Sequence, residues 1–151
     1  MLFSKNKKIA LIAVLFVILS IVVESLVDWQ VSGYSKQPEI YAFWFNTAMF
    51  MFGFGTALTL LELNPRKQGP ALFATITVST AILIFANFED CMYFLLGAGG
   101  FPANNVQWNW MIQYKWFHSW TTPDQLIWTI GFLLILAAFL YCMLKFGFKS
   151  R

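Results

Sequence analysis

The chain has 151 residues, of which 59% are hydrophobic and only 11% charged, against about 25% charged in ordinary soluble domains. A water-solvated fold of this length cannot bury so much apolar side chain, so the composition excludes one and makes lipid part of the solvent. The net charge of +3 does not point to nucleic acid, because the basic residues sit in short flanks beside apolar runs rather than on one face.

The first apolar run spans about 9–27, after the basic opening Ser4-Lys5-Asn6-Lys7-Lys8. A basic start and an apolar run also describe a signal peptide. This run continues into Glu24 and Asp28 with no small-residue cleavage pattern, so a retained anchor is expected. The second run, about 40–63, opens at Pro38-Glu39 and closes at Asn64-Pro65. The third, about 71–98, lies between Gly69-Pro70 and Gly97-Ala98-Gly99-Gly100. The fourth, about 123–146, starts at the first-turn proline Pro123, with Thr122 as its candidate cap. Each run meets the ~20 residues needed to cross a ~30 Å hydrocarbon core. The expected fold is all-α: one four-helix membrane domain over residues 1–151, with an aromatic-rich segment between helices 3 and 4.

Lys and Arg set the orientation. Lys5, Lys7, Lys8, Arg66, Lys67, Lys145, Lys149 and Arg151 flank one side, and only Lys36 and Lys115 lie in the segments of the other. Both termini are therefore expected to be cytoplasmic, with the chain a multi-pass protein of the plasma membrane. The cysteines Cys91 and Cys142 then fall toward opposite faces, too far apart for a disulfide, which needs Cα atoms within about 7 Å.

This topology sorts the acids. Glu24, Asp28, Glu39, Glu89, Asp90 and Asp124 fall in the outer half, with all seven tryptophans and the single histidine, His118. Only Glu62 lies inside, with Arg66 four residues on as its partner. At 1.5 Å per helical residue, Glu24 lies roughly 22 Å across the core and Asn87 about 24 Å, while Asn46 enters about 9 Å from the other side. Three helices thus bring a polar side chain to one level. Glu89 and Asp90 stand just above it, and Asp124 and Trp128 are available as a fourth wall.

Ionisable groups at such depth usually face a bundle interior and mark function. Glu24 and Asp28 share a helix face at i, i+4, although Asp28 also reads as the hydrated end of its span. Asp90 is expected on the face of Asn87, and Glu89 on that of Tyr93. Raised carboxylates suit proton transfer, and ionised ones a divalent cation. The candidate catalytic residues are therefore Glu89, Asp90 and Glu24. Asn46, Asn87, Tyr93, Trp44, Trp120 and Trp128 are the candidate substrate-binding residues. Glu24, Asp28, Glu89, Asp90, His118 and Asp124 are the candidate ligands for a divalent cation. No HExxH or paired CxxC is present, so no local zinc motif supports that set.

Trp and Tyr collect at membrane interfaces, but an ordinary belt would populate both faces. The run Trp108-Asn109-Trp110 to Trp116-Phe117-His118-Ser119-Trp120 reads as an amphipathic cap on the outer leaflet, able to line a lipid pocket. Gly53-Phe54-Gly55-Thr56, Thr75, Thr77, Ser79 and Thr80 read as helix packing, since small residues let membrane helices approach.

Glu89-Asp90-Cys91-Met92-Tyr93-Phe94 resembles the acidic-pair, two-residue-gap, paired-aromatic motif of small membrane lycopene cyclases. The resemblance implies acid-catalysed ring closure of an isoprenoid. It covers six residues, and Phe88 stands where those enzymes usually carry a proline.

Three functions are compatible with the residues. The first is a small membrane enzyme acting on a lipid or isoprenoid by carboxylate acid–base chemistry, with a divalent cation as an optional assistant. The second is a cation-binding or transport subunit. It would need oligomerisation or partners, because the inner half offers no ionisable path. The third is a structural or assembly protein whose acids are hydrated surface groups.

Overall fold

The computed structural model describes residues 5–32, 53–58, 69–96, 100–109 and 111–148, with backbone alone for residues 5, 6, 24, 27–32 and 112. All regular structure among them is helical: α1 (Lys5–Ser32), α2 (residues 53–58), α3 (Gly69–Phe85), α4 (Phe88–Leu96), α5 (Ile112–Phe117) and α6 (Thr122–Cys142), the last continued by a π turn, Met143–Gly147. Of the second expected span, 40–63, only the helical residues 53–58 are described.

α1 buries one stripe, Ala10, Val14, Val17, Ile21 and Ser25, and leaves Ile12, Leu15, Phe16, Leu19 and Val23 exposed. The steps of three and four residues keep the stripe on one side of the helix. Val17 and Ile21 meet Leu83 of α3 and Leu136 of α6 in one core cluster, and Ala10, Leu72 and Phe148 form a second toward the other end. Three helices thus share a narrow apolar seam.

α6 is polarised the opposite way from a helix in water. Its buried residues are Thr122, Gln125, Thr129 and Leu136, while Ile127, Ile130, Leu134 and Ile135 are exposed. Continuous from Thr122 to Gly147, it is long and apolar enough to cross a membrane, yet only 11% of its 18-residue apolar window is buried. The core helix of a soluble protein would be mostly buried.

The third expected span is not one helix. α3 ends at Phe85, Ala86 and Asn87 form a turn, and α4 leaves at 60°. Asn87 adopts φ 49°, the left-handed region that Asn tolerates better than most residues. The bent pair counts as a second membrane-crossing segment if taken as one span.

α2 touches α3 where Gly53 faces Thr80. A Cβ at Gly53 would lie 2.7 Å from Thr80 Cγ2 and in collision with the hydroxyl. Gly53→Ala is therefore expected to cost about 1–3 kcal/mol by overpacking, measured as a shift in the denaturation midpoint in detergent. Thr80→Ala in the same chain should restore most of it, and failure to restore would place the strain elsewhere.

Candidate functional site: a broken helix under an aromatic cap

Breaking a helix frees backbone groups, and each one that is buried must find a partner in the protein. The turn itself takes two of them: Ala86 N–H donates to Ile82 O at 2.8 Å and Asn87 N–H to Ile84 O at 3.0 Å. α6 takes the next two. Trp128 Nε1 donates to Phe85 O at 2.7 Å, and Ala86 O accepts from Thr129 Oγ1 at 2.7 Å and Gln125 Nε2 at 3.3 Å. The side chains of α6 hold the bend open.

Gln125 is the centre of this arrangement and is fully buried. Its Oε1 accepts from Trp120 Nε1 at 2.9 Å and from Asn87 Nδ2 at 3.3 Å, and its Nε2 donates to Thr129 Oγ1 at 2.9 Å. Indole nitrogen is a donor only, which fixes the orientation of the amide. Thr129 spends its single proton on Ala86 O, so the Cys91 thiol, 3.2 Å from Thr129 Oγ1, is the donor in that pair. Both Cys91, buried, and Cys142, exposed, are free thiols.

Above the bend lies the cap. Trp108 is buried with Met111 and Trp120, against Phe94, Phe101, Tyr114 and Trp128. Its backbone N–H donates to Trp120 O at 2.7 Å, and its Nε1 donates to Thr122 Oγ1 at 3.2 Å, which in turn donates to Pro102 O at 2.8 Å. The loop after α4 is thereby tied to the start of α6.

The sequence-predicted site residues divide accordingly. Glu89 and Asp90 occupy the first turn of α4, both half-buried, where the positive end of the helix dipole favours carboxylates. Ser25 Oγ of α1 donates to Ile21 O at 2.7 Å and lies 3.3 Å from Glu89 O, so the helix position next to Glu24 is level with that turn. The side chains of Glu24 and Asp28, and all of Trp44 and Asn46, lie outside the described residues. Because Asn87 is left-handed and precedes the helix, it does not share a helical face with Asp90, contrary to expectation. Its amide goes to Gln125 instead.

Tyr93 is half-buried and packs edge-on against Phe94, with ring centroids 5.1 Å apart. The polar atoms of Trp120 and Trp128 are committed to Gln125 and Phe85 O. Asp124 reaches back to Thr121, accepting from its N–H at 2.9 Å and its hydroxyl at 2.6 Å. The cap residue of α6 is therefore Thr121, one position before the expected Thr122. His118 ends α5, exposed and at φ 57°. Among the described residues no three His, Cys, Asp or Glu side chains gather to hold a metal.

Gln125, Thr129 and Ser25 were missing from the expected site. Gln125 and Thr129 did carry a signal, being two polar residues at i, i+4 near the start of an otherwise apolar helix. Comparison with family models, curated proteins and solved structures gives no match to this chain.

Proposed function

We propose that the chain is a four-span plasma-membrane enzyme with cytoplasmic termini, acting on a lipid or isoprenoid by carboxylate acid–base chemistry at the helix break. The observation that carries this reading is the placing of Glu89 and Asp90 in the first turn after a 60° bend, against α1 beside Glu24. Discontinuous helices are where membrane proteins commonly build polar binding sites, and half-buried carboxylates are the side chains suited to exchange protons there. Glu89 or Asp90 is the acid–base group and Glu24 the counter-carboxylate. The inside-out polarity of α6 supports the lipid setting, because apolar residues face outward where water would penalise them. Asn87 orients the break rather than a ligand.

The test compares the lipid extracts of cells expressing the native chain and the Glu89→Gln/Asp90→Asn variant, matched for membrane protein level, by untargeted mass spectrometry. An enzyme changes at least one lipid or isoprenoid pool, and the variant abolishes that change. Identical extracts, with the variant as stable as the native chain or more so, would make this a structural protein. Stoichiometric metal in the purified native protein, lost in the variant, would make it a cation site.

A further inference from the structure

Ala10, Leu72 and Phe148 pack together, so the starts of α1 and α3 and the end of the π turn meet at one end of the bundle. Lys5, Lys7 and Lys8 occupy the first turn of α1, and Lys145 lies in the π turn. Neither α1 nor α3 has an acid in its first turn. Along each helix the nearest acid among the described residues is far off: Glu24 is about 24 Å from Lys8, and Asp124 about 31 Å from Lys145. Glu62, the one acid that the sequence assigns to this side, lies outside the described residues and is outnumbered by eight basic residues.

The N-terminus of a helix is the positive end of its dipole and favours anions, so Lys5, Lys7 and Lys8 stand at the less favourable end of α1. The start of α3 turns a second positive helix end to the same level. Lys145 is the cation whose ammonium is positioned. Its Nζ donates to Tyr141 Oη at 3.2 Å and lies over the rings of Tyr141 and Phe146, 5.3 and 5.1 Å from their centroids. An ammonium has three donors, so Lys145 keeps capacity for an anion. Tyr141 and Phe146 are 60% and 56% exposed, and Tyr141 continues the exposed apolar face of Leu134. Counted from Thr122, Lys145 stands about 34 Å along its helix, just beyond a ~30 Å hydrocarbon core. An anion that meets an ammonium between two exposed rings at that depth is a lipid head group, since a water-borne partner would leave the rings wet. The proposed topology makes this the cytoplasmic leaflet, the one that carries anionic lipid.

We propose that this end of the bundle binds anionic phospholipid of the leaflet around it, with a head-group phosphate at Lys145 and further attraction from Lys7 and Lys8. The inference rests on the membrane setting proposed above, and not on its acid–base chemistry.

Delipidated protein in dodecylmaltoside is titrated separately with phosphatidylglycerol and phosphatidylcholine of matched chains, and binding is read by native mass spectrometry. The native chain is expected to bind phosphatidylglycerol the more tightly. A Lys at a membrane surface contributes roughly a fivefold preference for anionic lipid. Lys145→Gln should therefore cut the preference by about fivefold, and adding Lys7→Gln/Lys8→Gln should cut it again. Lys115→Gln removes the same charge from α5, beside the cap, and should leave the preference unchanged. Lys8, Lys115 and Lys145 are exposed and Lys7 is half-buried at a helix start, so the variants keep the fold, which an unchanged unfolding midpoint checks. An equal loss on Lys115→Gln and Lys145→Gln would mean that net charge alone draws the lipid, and overturns the proposal. Equal affinity of the native chain for the two lipids overturns it as well. Binding of neither lipid overturns it together with the membrane reading on which it rests.

Discussion

Gln125→Leu should lower the unfolding free energy by about 2–4 kcal/mol, because it leaves Trp120 Nε1 and Asn87 Nδ2 without their acceptor. An orphaned buried donor costs about 1–3 kcal/mol, whereas side-chain hydrogen bonds between membrane helices average only about 0.6 kcal/mol. The larger figure governs here, since Trp120 is buried within the protein and has neither lipid headgroup nor water to turn to. Ala86 O keeps its bond from Thr129, which holds the loss below that of a full collapse of the bend. Titration with sodium dodecyl sulfate from mixed micelles measures it. A loss under about 0.5 kcal/mol would mean that the network adds nothing beyond packing.

Trp108→Ala is expected to cost about 3–5 kcal/mol, the usual range for deleting a buried aromatic side chain. Trp108 has 0% of its surface exposed and shares a three-ring cluster with Phe94, tilted at 5.0 Å, and Phe101, stacked at 6.4 Å. It also supplies the indole donor to Thr122 Oγ1. The damage should stay local, because the α1–α3–α6 seam contains none of these residues. Hydrogen exchange across residues 100–118 should therefore accelerate strongly while α3 and the middle of α6 stay protected. Uniform acceleration, or none, would contradict the separation of cap from seam.

What the sequence made legible follows from the range of each signal. The start of α6 was readable to within one residue, because Pro123 and Asp124 act on their immediate neighbours. The packing role of Gly53 and Thr80 was readable from size alone, and the all-helical fold from the lengths of the apolar runs. The bend at Ala86-Asn87 was not. A left-handed Asn inside an apolar run is stabilised here by Gln125, 38 residues further along the chain, and no local pattern carries that information. The same long-range partner removes Asn87 from the expected helical face and commits Trp120 to the fold. Asp124 looked like a site wall because its depth was right, but its spacing to Thr121 gives it a capping role. The level match between α1 and the turn of Glu89 came from counting residues along two helices, and Ser25 meets Glu89 O at that level.

The 60° bend also sets a lateral dimension. α4 has nine residues and is about 14 Å long, so it advances only about 7 Å along the axis of α3 and carries its far end about 12 Å sideways. Leu95 and Leu96, exposed at that end, are set out from the seam like the edge of an eave. The direction in which α4 leaves α3 is thus set by a single turn at Asn87.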